Sequence, residues 1–317
     1  MPKILKAFIG SYGLVFVILI FCIPVTIIRP VFWSWGNLSN ILVQMTVIGV
    51  LTMGQVFVLI SGGGGIDLSV GSTLAFSAIL GAGLIRNSGF PVWAGLLVTL
   101  LTGIAVGAFN GLIITKIKIS PLITTLAVQT AVRGLVMIYT GGADVTNMPR
   151  AYTDIVSKGI GSISWSVVIT FAIFFITMVI LRYTRYGREL YAVGGNEYAA
   201  NVSGINVTKI RIAAYTACGL LASVAGIITT ARLYTAGPRA GTGMELTAIS
   251  AAVIGGTSLA GGKGYVSGAV LGVIFLQIID NTTNLMAIPA AYVSALKGAI
   301  ILGAAILDRI RSSDKFK

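Results

Sequence analysis

The sequence predicts an all-α integral membrane protein of about ten transmembrane helices. Three observations carry that prediction. Only 10% of the 317 residues are charged and 56% are hydrophobic, where a soluble domain carries about a quarter charged residues. Mean hydropathy is +0.95, so too little polar surface exists to coat a globule in water. Apolar stretches of about 20 residues, enough to cross about 30 Å of hydrocarbon, recur from end to end.

Reading the apolar runs between polar or Gly/Pro breaks places spans at 11–29, 38–60, 69–86, 91–115, 121–140, 164–182, 209–233, 244–261, 265–283 and 290–308. The first follows Lys3 and Lys6 and has the charged and apolar regions of a signal peptide. No small-residue cleavage site follows, since Phe21 precedes Cys22 and a proline comes soon after, so it reads as an uncleaved span. The second runs into Gly62 to Gly65, where a helix can break and the backbone turn sharply before the third. On the fourth, Gly103, Gly107 and Gly111 put small residues on one face, where another helix can approach closely; Gly268 and Gly272 do the same on the ninth. Lys116 and Lys118 close the fourth span, and a basic loop separates the sixth from the seventh. The eighth and ninth are short, and GGTSLAGGKG between them is expected to be a re-entrant break, so helices are expected to break near 60–70 and 255–265. SGGGGIDLSVGSTLAFSAIL and LAGGKGYVSGAVLGVIFLQI read as a weak parallel repeat, each a glycine-rich break before a small-residue-rich span.

Charge sets direction. With ten spans, Lys3, Lys6, Lys116, Lys118, Arg182, Arg185, Arg188, Lys209, Arg211, Lys263, Arg309, Arg311, Lys315 and Lys317 fall on one side. Arg29, Arg86, Arg150, Lys158, Arg232 and Arg239 fall on the other. That asymmetry predicts both termini in the cytoplasm. The formal charge of +13 is therefore a membrane-topology signal; a nucleic-acid partner would need a folded aqueous domain, and no soluble stretch is long enough. Histidine is absent, which removes the commonest metal ligand and general base, and no metal site is expected. Cys22 and Cys218 lie in apolar runs and read as buried small hydrophobes.

Three stretches could carry chemistry. In LISGGGGIDLSVGS, 59–72, no Gly-Lys-Ser/Thr follows the glycines, and GGKG at 261–264 fails the same test, so neither is a phosphate loop. Asp67 and Ser69 fall at the mouth of the third span, where Asp67 could cap the first N–H groups. A carboxylate at the bilayer centre costs about 2.5–3.5 kcal/mol, so it belongs at an interface, in water or paired. A helix cap is the plainer role, and contact with a solute or partner the other. In RYTRYGRELYAVGGNEYAANVSGINVTKIR, 182–211, Asn196 can cap a two-turn helix, Glu197 suits its first turn and Gly204 can end it. So short a helix is marginal in water and needs a groove to pack in; a simple connector is the alternative. GMELTAISAAVIGGTSLAGGKG, 243–264, sets Glu245 into a span. Gln44, Gln55, Asn110, Gln129, Arg133, Gln277, Asp280, Asn281, Asn284 and Lys297 are further intramembrane polar groups. Such groups face the bundle interior or a watery path, and many amides with few carboxylates suit a neutral, hydroxyl-rich solute. For any single amide, gluing helices together is the commoner role.

SGG…GIDLSVGS, ISPLITTLAVQTAVRGLVMIYTGG, TRYGRELYAVGGNEYAANVSGINV and MELTAISAAVIGGTSLAGGKG resemble, in order and spacing, the permeases of bacterial ABC sugar importers. The likeness is to the ribose/galactose/xylose/arabinose group, which includes autoinducer-2 permeases, and it spans about 37 to 308. The resemblance implies one transmembrane domain over 1–317, inserted as a multi-pass protein among the lipids of the bacterial inner membrane. It implies a second permease copy or relative, a periplasmic sugar-binding protein, and separate ATP-binding subunits that hold ATP and Mg. It also implies a coupling helix in the cytoplasmic loop 183–208, which assigns coupling to Gly195, Asn196, Glu197, Ala199, Ala200, Ser203 and Gly204. The family's Gly-Ile-Asp-Leu-Ser motif maps to Gly65, Ile66, Asp67, Leu68 and Ser69, preceded here by four glycines where relatives carry two. On this reading Gln44, Gln55, Asp67, Ser69, Asn110, Gln129, Glu245, Gln277 and Asn281 line or gate the path. The chain carries no ATP-binding motif of its own and is expected to be a transport subunit without enzymatic activity. Two other classes stay open: an ion-gradient-driven secondary transporter of a small polar solute, and an assembly subunit that binds none.

Overall fold

The computed structural model describes residues 3–161, 163–289 and scattered positions between 291 and 306. Its helices are α1 (Lys3–Ile28), α2 (Trp35–Ile60), α3 (Val70–Asn87), α4 (Val92–Leu112), α5 (Pro121–Thr140) and α6 (Arg150–Ser157). There follow α7 (Trp165–Tyr183), α8 (Arg185–Gly195), α9 (Glu197–Val202), α10 (Val207–Leu233), α11 (Met244–Ile254) and α12 (Val266–Leu285). A π-helical turn, Ile113–Ile117, extends α4. A small antiparallel hairpin, β1 (Gly159–Ile160) with β2 (Ile163–Ser164), precedes α7.

Six helices among the described residues are long and apolar enough to cross a membrane: α2, α4 with its π turn, α5, α7, α10 and α12. The apolar part of α1 (Gly13–Ile28) and α11 are shorter. The expected eighth span, 244–261, stops early because Gly255 and Gly256 (φ +91°) turn the chain out of the helix after Ile254. Residues 255–265 then run without helix, as do 61–69 between α2 and α3. About half of the expected tenth span, 290–308, with Lys297 and the basic tail, lies outside the described residues.

The bundle is organised around α2, in which every residue from Met45 to Ile60 is buried. A helix apolar on all faces can only sit inside other protein or in lipid, and α7, α10, α11 and α12 cover it. By contrast α5 buries only a few residues, among them Thr124, Val128 and Val132, and leaves Leu122, Ile123, Leu126 and Ile138 exposed on its outer face. The glycine face of α4 packs on α10 as its spacing predicts. A side chain at Gly107 would overlap the Tyr215 carbonyl, and one at Gly111 would stand 2.8 Å from the Ile212 Cα. Gly272 meets the Ala251 carbonyl in the same way, which seats α12 on α11.

The two non-helical breaks lie side by side, together with α8 and α9, on one face of the bundle: the Gly262 N–H donates to the Ile60 carbonyl at 3.0 Å. On the opposite face, α6 and the hairpin lie in the connection 141–164, and Val145 pairs with Ala236 in the connection after α10.

Candidate functional site

The chain between α7 and α10 was expected to hold one short helix and holds two. Thr184 caps α8, its hydroxyl accepting the Gly187 N–H at 3.1 Å, and Arg185 pairs with Glu189 one turn on at 2.7 Å. Those signals are in the sequence, but the glycines near both ends of α8, Gly187, Gly194 and Gly195, hide them. α9 begins and ends where its caps dictate. The Asn196 side chain accepts the Ala199 N–H at 2.9 Å. Gly204, at φ +83°, turns the chain away after Ser203, and the Ile205 N–H closes onto the Ala200 carbonyl. Ala200 is buried beneath α9, whereas Tyr198 (80% exposed) and Val202 (72%) project outward with Glu197, Ala199, Asn201 and Ser203. An apolar tyrosine and valine held out on a capped helix make a plug in search of a socket.

Three glycine-rich segments meet directly under this helix pair. A Cβ on Gly62 would lie 2.7 Å from the Gly194 Cα, and one on Gly262 would lie 2.6 Å from the Gly195 Cα. A Cβ on Gly261 would overlap Gly62. The first break, the end of α8 and the second break therefore touch backbone to backbone. Positive φ at Gly62 (+70°), Gly261 (+91°) and Gly262 (+67°) excludes side chains there a second time. Two side chains bolt the junction. Arg211 of α10 pairs with Glu197 at 2.7 Å while its Nε donates to the Ser61 carbonyl at 3.4 Å. Tyr191 of α8 donates its hydroxyl to the Gly264 carbonyl at 2.6 Å. Burial, with Tyr265 adding to it, pushes the Tyr191 hydroxyl pKa up. α9 is thus tied to the break before α3 and, through α8, to the break before α12.

The first break leads into a buried polar network. Gln55 holds the backbone of Asp67 with both ends of its amide, Nε2 donating to the Asp67 carbonyl (2.6 Å) and Oε1 accepting its N–H (3.4 Å). Asp67 Oδ1 accepts from the Ser69 N–H (2.8 Å) and hydroxyl (2.6 Å), and Asn110 Nδ2 donates to the Ser69 hydroxyl (2.8 Å). The Cys218 thiol completes the shell. Asp67 was expected to cap α3 near an interface. It is 1% exposed and serves Ser69 instead, because four glycines let the chain fold back before α3 begins. Gln55, Asp67, Ser69 and Asn110, four of the sequence's path residues, therefore form one unit. Ser61, Gly194 and Arg211 complete the machinery without having been singled out for it, since nothing in their local pattern distinguishes a junction from a loop.

The remaining path residues separate. Glu245 Oε1 accepts from Gln129 Nε2 (3.1 Å) and from the Gly243 N–H (3.2 Å), joining α11 to α5. Arg133 beside it donates to the Pro238 (2.6 Å) and Ala240 (2.9 Å) carbonyls. Gln44 and Gln277 line a common cavity of 550 Å³ between α2, α10, α11 and α12. Asn281 exchanges amide hydrogen bonds with Asn37 at 2.8 and 3.0 Å, which fastens α12 to the start of α2.

Against known proteins, the family described as "Branched-chain amino acid transport system / permease component" matches residues 37–305. The chain belongs to this permease family. Curated relatives cover nearly its whole length. It is 41% identical over 312 residues to the ribose import permease protein of Bacillus subtilis (strain 168), covering 98% of this chain and 94% of the relative. It is 33% identical to the L-arabinose ABC transporter permease protein of Azospirillum brasilense, covering 97% and 90%. It is 34% identical to the autoinducer 2 import system permease protein of Salmonella choleraesuis (strain SC-B67), covering 87% and 78%. No solved structure matches. The permease is the transport component itself, and its apolar helices are consistent with a multi-pass membrane protein.

Proposed function

We propose that this permease is the membrane-spanning subunit of an ATP-driven importer that moves a sugar or sugar-like solute across the bacterial inner membrane. ATP and Mg would be held by separate ATP-binding subunits, solute would arrive on a periplasmic binding protein, and a second permease, identical or related, would complete the path. In this reading ten spans place both termini in the cytoplasm, and α8, α9 and the glycine junction lie on the cytoplasmic face. The observation that carries it is the position of α9. It is capped, exposed and apolar at its tip, and rigidly tied to the breaks that precede α3 and α12. Force applied to Tyr198 and Val202 by a partner's groove would pass through Arg211 and the glycines to both helices at once. Closure of the ATP-binding pair would shift the permease only as far as that pair binds its two conformations unequally.

The test is ATPase activity in liposomes holding the permease and its ATP-binding subunit, with and without a sugar-loaded binding protein. Glu197→Arg reverses the charge facing Arg211, and Gly204→Trp adds bulk in open space at a left-handed backbone position. Loss of stimulation in both variants, with the permease still folded, is the expected result. The buried carboxylates Asp67 and Glu245 favour a second reading, an ion-gradient-driven carrier. Uptake by this chain alone, driven by an ion gradient and indifferent to both substitutions, would establish that reading instead.

A further inference from the structure

An apolar stripe on α7 ends in a cation. Phe171, Phe175, Met178 and Arg182 recur at spacings of four, three and four, which puts them on one face of the helix. Phe171 and Phe175 are exposed. Trp165 and Tyr183 bracket α7 eighteen residues apart, about 27 Å at 1.5 Å per residue, close to the thickness of the hydrocarbon core. Interfacial tryptophans and tyrosines sit at headgroup level, so Arg182 stands where the bilayer meets water. There α7, α8 and the start of α12 enclose a cavity of 610 Å³. Met178, Leu181 and Val266 form its apolar side, and Arg182, Arg188 and Ser267 its polar side.

The chain brings the two arginines together. A Cβ on Gly187 would overlap the Ile180 and Leu181 carbonyls, so α8 folds back tightly on the end of α7 only with glycine there. Arg188 then donates to the Tyr183 carbonyl at 3.5 Å, and the Arg182 guanidinium lies 5.5 Å over the Tyr183 ring. Among the described residues neither arginine has an ion-pair partner, and Glu189, next in the chain after Arg188, is taken by Arg185. Two guanidiniums without a carboxylate leave the groove positive, and their planar forks match phosphate oxygens. No side chain caps the first turn of α12, whose N–H groups add to the field for an anion. A free phosphate would use the cations alone and leave the stripe bare. A phospholipid uses both, and basic pockets between membrane helices at the cytoplasmic side take acidic headgroups.

We propose that this groove holds one anionic phospholipid, its phosphate on Arg182 and Arg188 and an acyl chain along Met178, Phe175 and Phe171. Tyr191 lines the same cavity and bonds the Gly264 carbonyl, so the bound lipid braces α8 against the second glycine break. That bracing role and the assignment to the cytoplasmic leaflet rest on the importer reading; the binding itself does not.

The full-length permease in detergent is equilibrated with equal amounts of palmitoyl-oleoyl phosphatidylglycerol and phosphatidylcholine, and retained lipid is counted by native mass spectrometry. Each arginine near an anionic headgroup is worth about fivefold in affinity, so Arg182→Gln/Arg188→Gln should lose about 25-fold of the parent's preference for phosphatidylglycerol. Lys116→Gln/Lys118→Gln removes the same charge beyond α4, outside the cavity, and should lose none. Millimolar inorganic phosphate should leave the lipid in place; displacement by it would mark a soluble-anion site and overturn the lipid assignment. Equal retention of the two lipids by the parent, or a preference that both double variants lose alike, overturns the site and leaves the importer reading intact. In liposomes of the complete transporter, phosphatidylglycerol should raise binding-protein-stimulated ATPase several-fold for the parent and leave Arg182→Gln/Arg188→Gln unchanged. Equal stimulation of the parent in both lipids overturns the bracing role. A parent without stimulated ATPase in either lipid overturns the importer reading, while the lipid count still decides the site.

Discussion

Replacing Gly194 by alanine inserts one methyl group where three backbones meet. Its Cβ would lie 2.6 Å from the Gly262 nitrogen, against 3.4 Å for an ordinary contact, and would overlap the Ile60 carbonyl oxygen. Those two atoms are the donor and acceptor of the bond that joins the breaks. The methyl can be admitted only by prising them apart. Overpacking of this kind costs about 1–3 kcal/mol, and the separated bond about 0.5–1.5 kcal/mol more, for a total of about 1.5–4.5 kcal/mol. The neighbouring glycines supply controls. Gly195 has nothing within 4 Å of its Cβ position, and alanine in a helix there is neutral or favourable by about 0.5–1 kcal/mol. Gly64 is equally open but sits at φ +72°, so alanine costs only the left-handed penalty of about 1–2 kcal/mol. Thermal unfolding in detergent should therefore rank Gly195→Ala at or above the parent, then Gly64→Ala, with Gly194→Ala lowest. Binding-protein-stimulated ATPase should fall most in Gly194→Ala. Equal Tm and activity for Gly194→Ala and Gly195→Ala would refute a close-packed junction.

Asp67→Ala leaves the buried Ser69 N–H without an acceptor and should cost about 1–3 kcal/mol of stability, whereas Asp67→Asn, which keeps an oxygen for Ser69, should cost clearly less; detergent Tm values read both. Asn37→Leu and Asn281→Leu should each destabilise the protein, while the double variant loses less than the sum, because each single change strands the other amide. The coupling from that cycle should be about 0.6–1.7 kcal/mol, the range for hydrogen bonds between membrane helices.

Part of the site was legible because it is local. α9 could be placed from Asn196, Glu197 and Gly204 alone, since a cap acts on backbone groups two or three residues away. The glycine faces of α4 and α12 were legible for the same reason: spacing along one helix announces close packing, though not the partner. The Asp67 network was only half visible. Its residues stood out as polar groups in apolar runs, but position 67 reads as a helix entrance until four residues of turn fold it inward onto Cys218 and Asn110. α8 was missed because three glycines dilute its helical pattern, and its stability comes from packing on α7 and α10.

By itself the sequence determined the solvent this chain lives in, where most helices run, where two of them break and where a short helix stands out between basic flanks. These follow from hydropathy, caps and glycine placement, which act over a few residues at a time. The tertiary structure alone decided that the two breaks, nearly two hundred residues apart, close on one another beneath α9. It also decided that Asn281 ties helices together while Gln277 opens on a cavity. Such pairings depend on the rotation and depth of each helix against its neighbours, and neither quantity is encoded within any one segment.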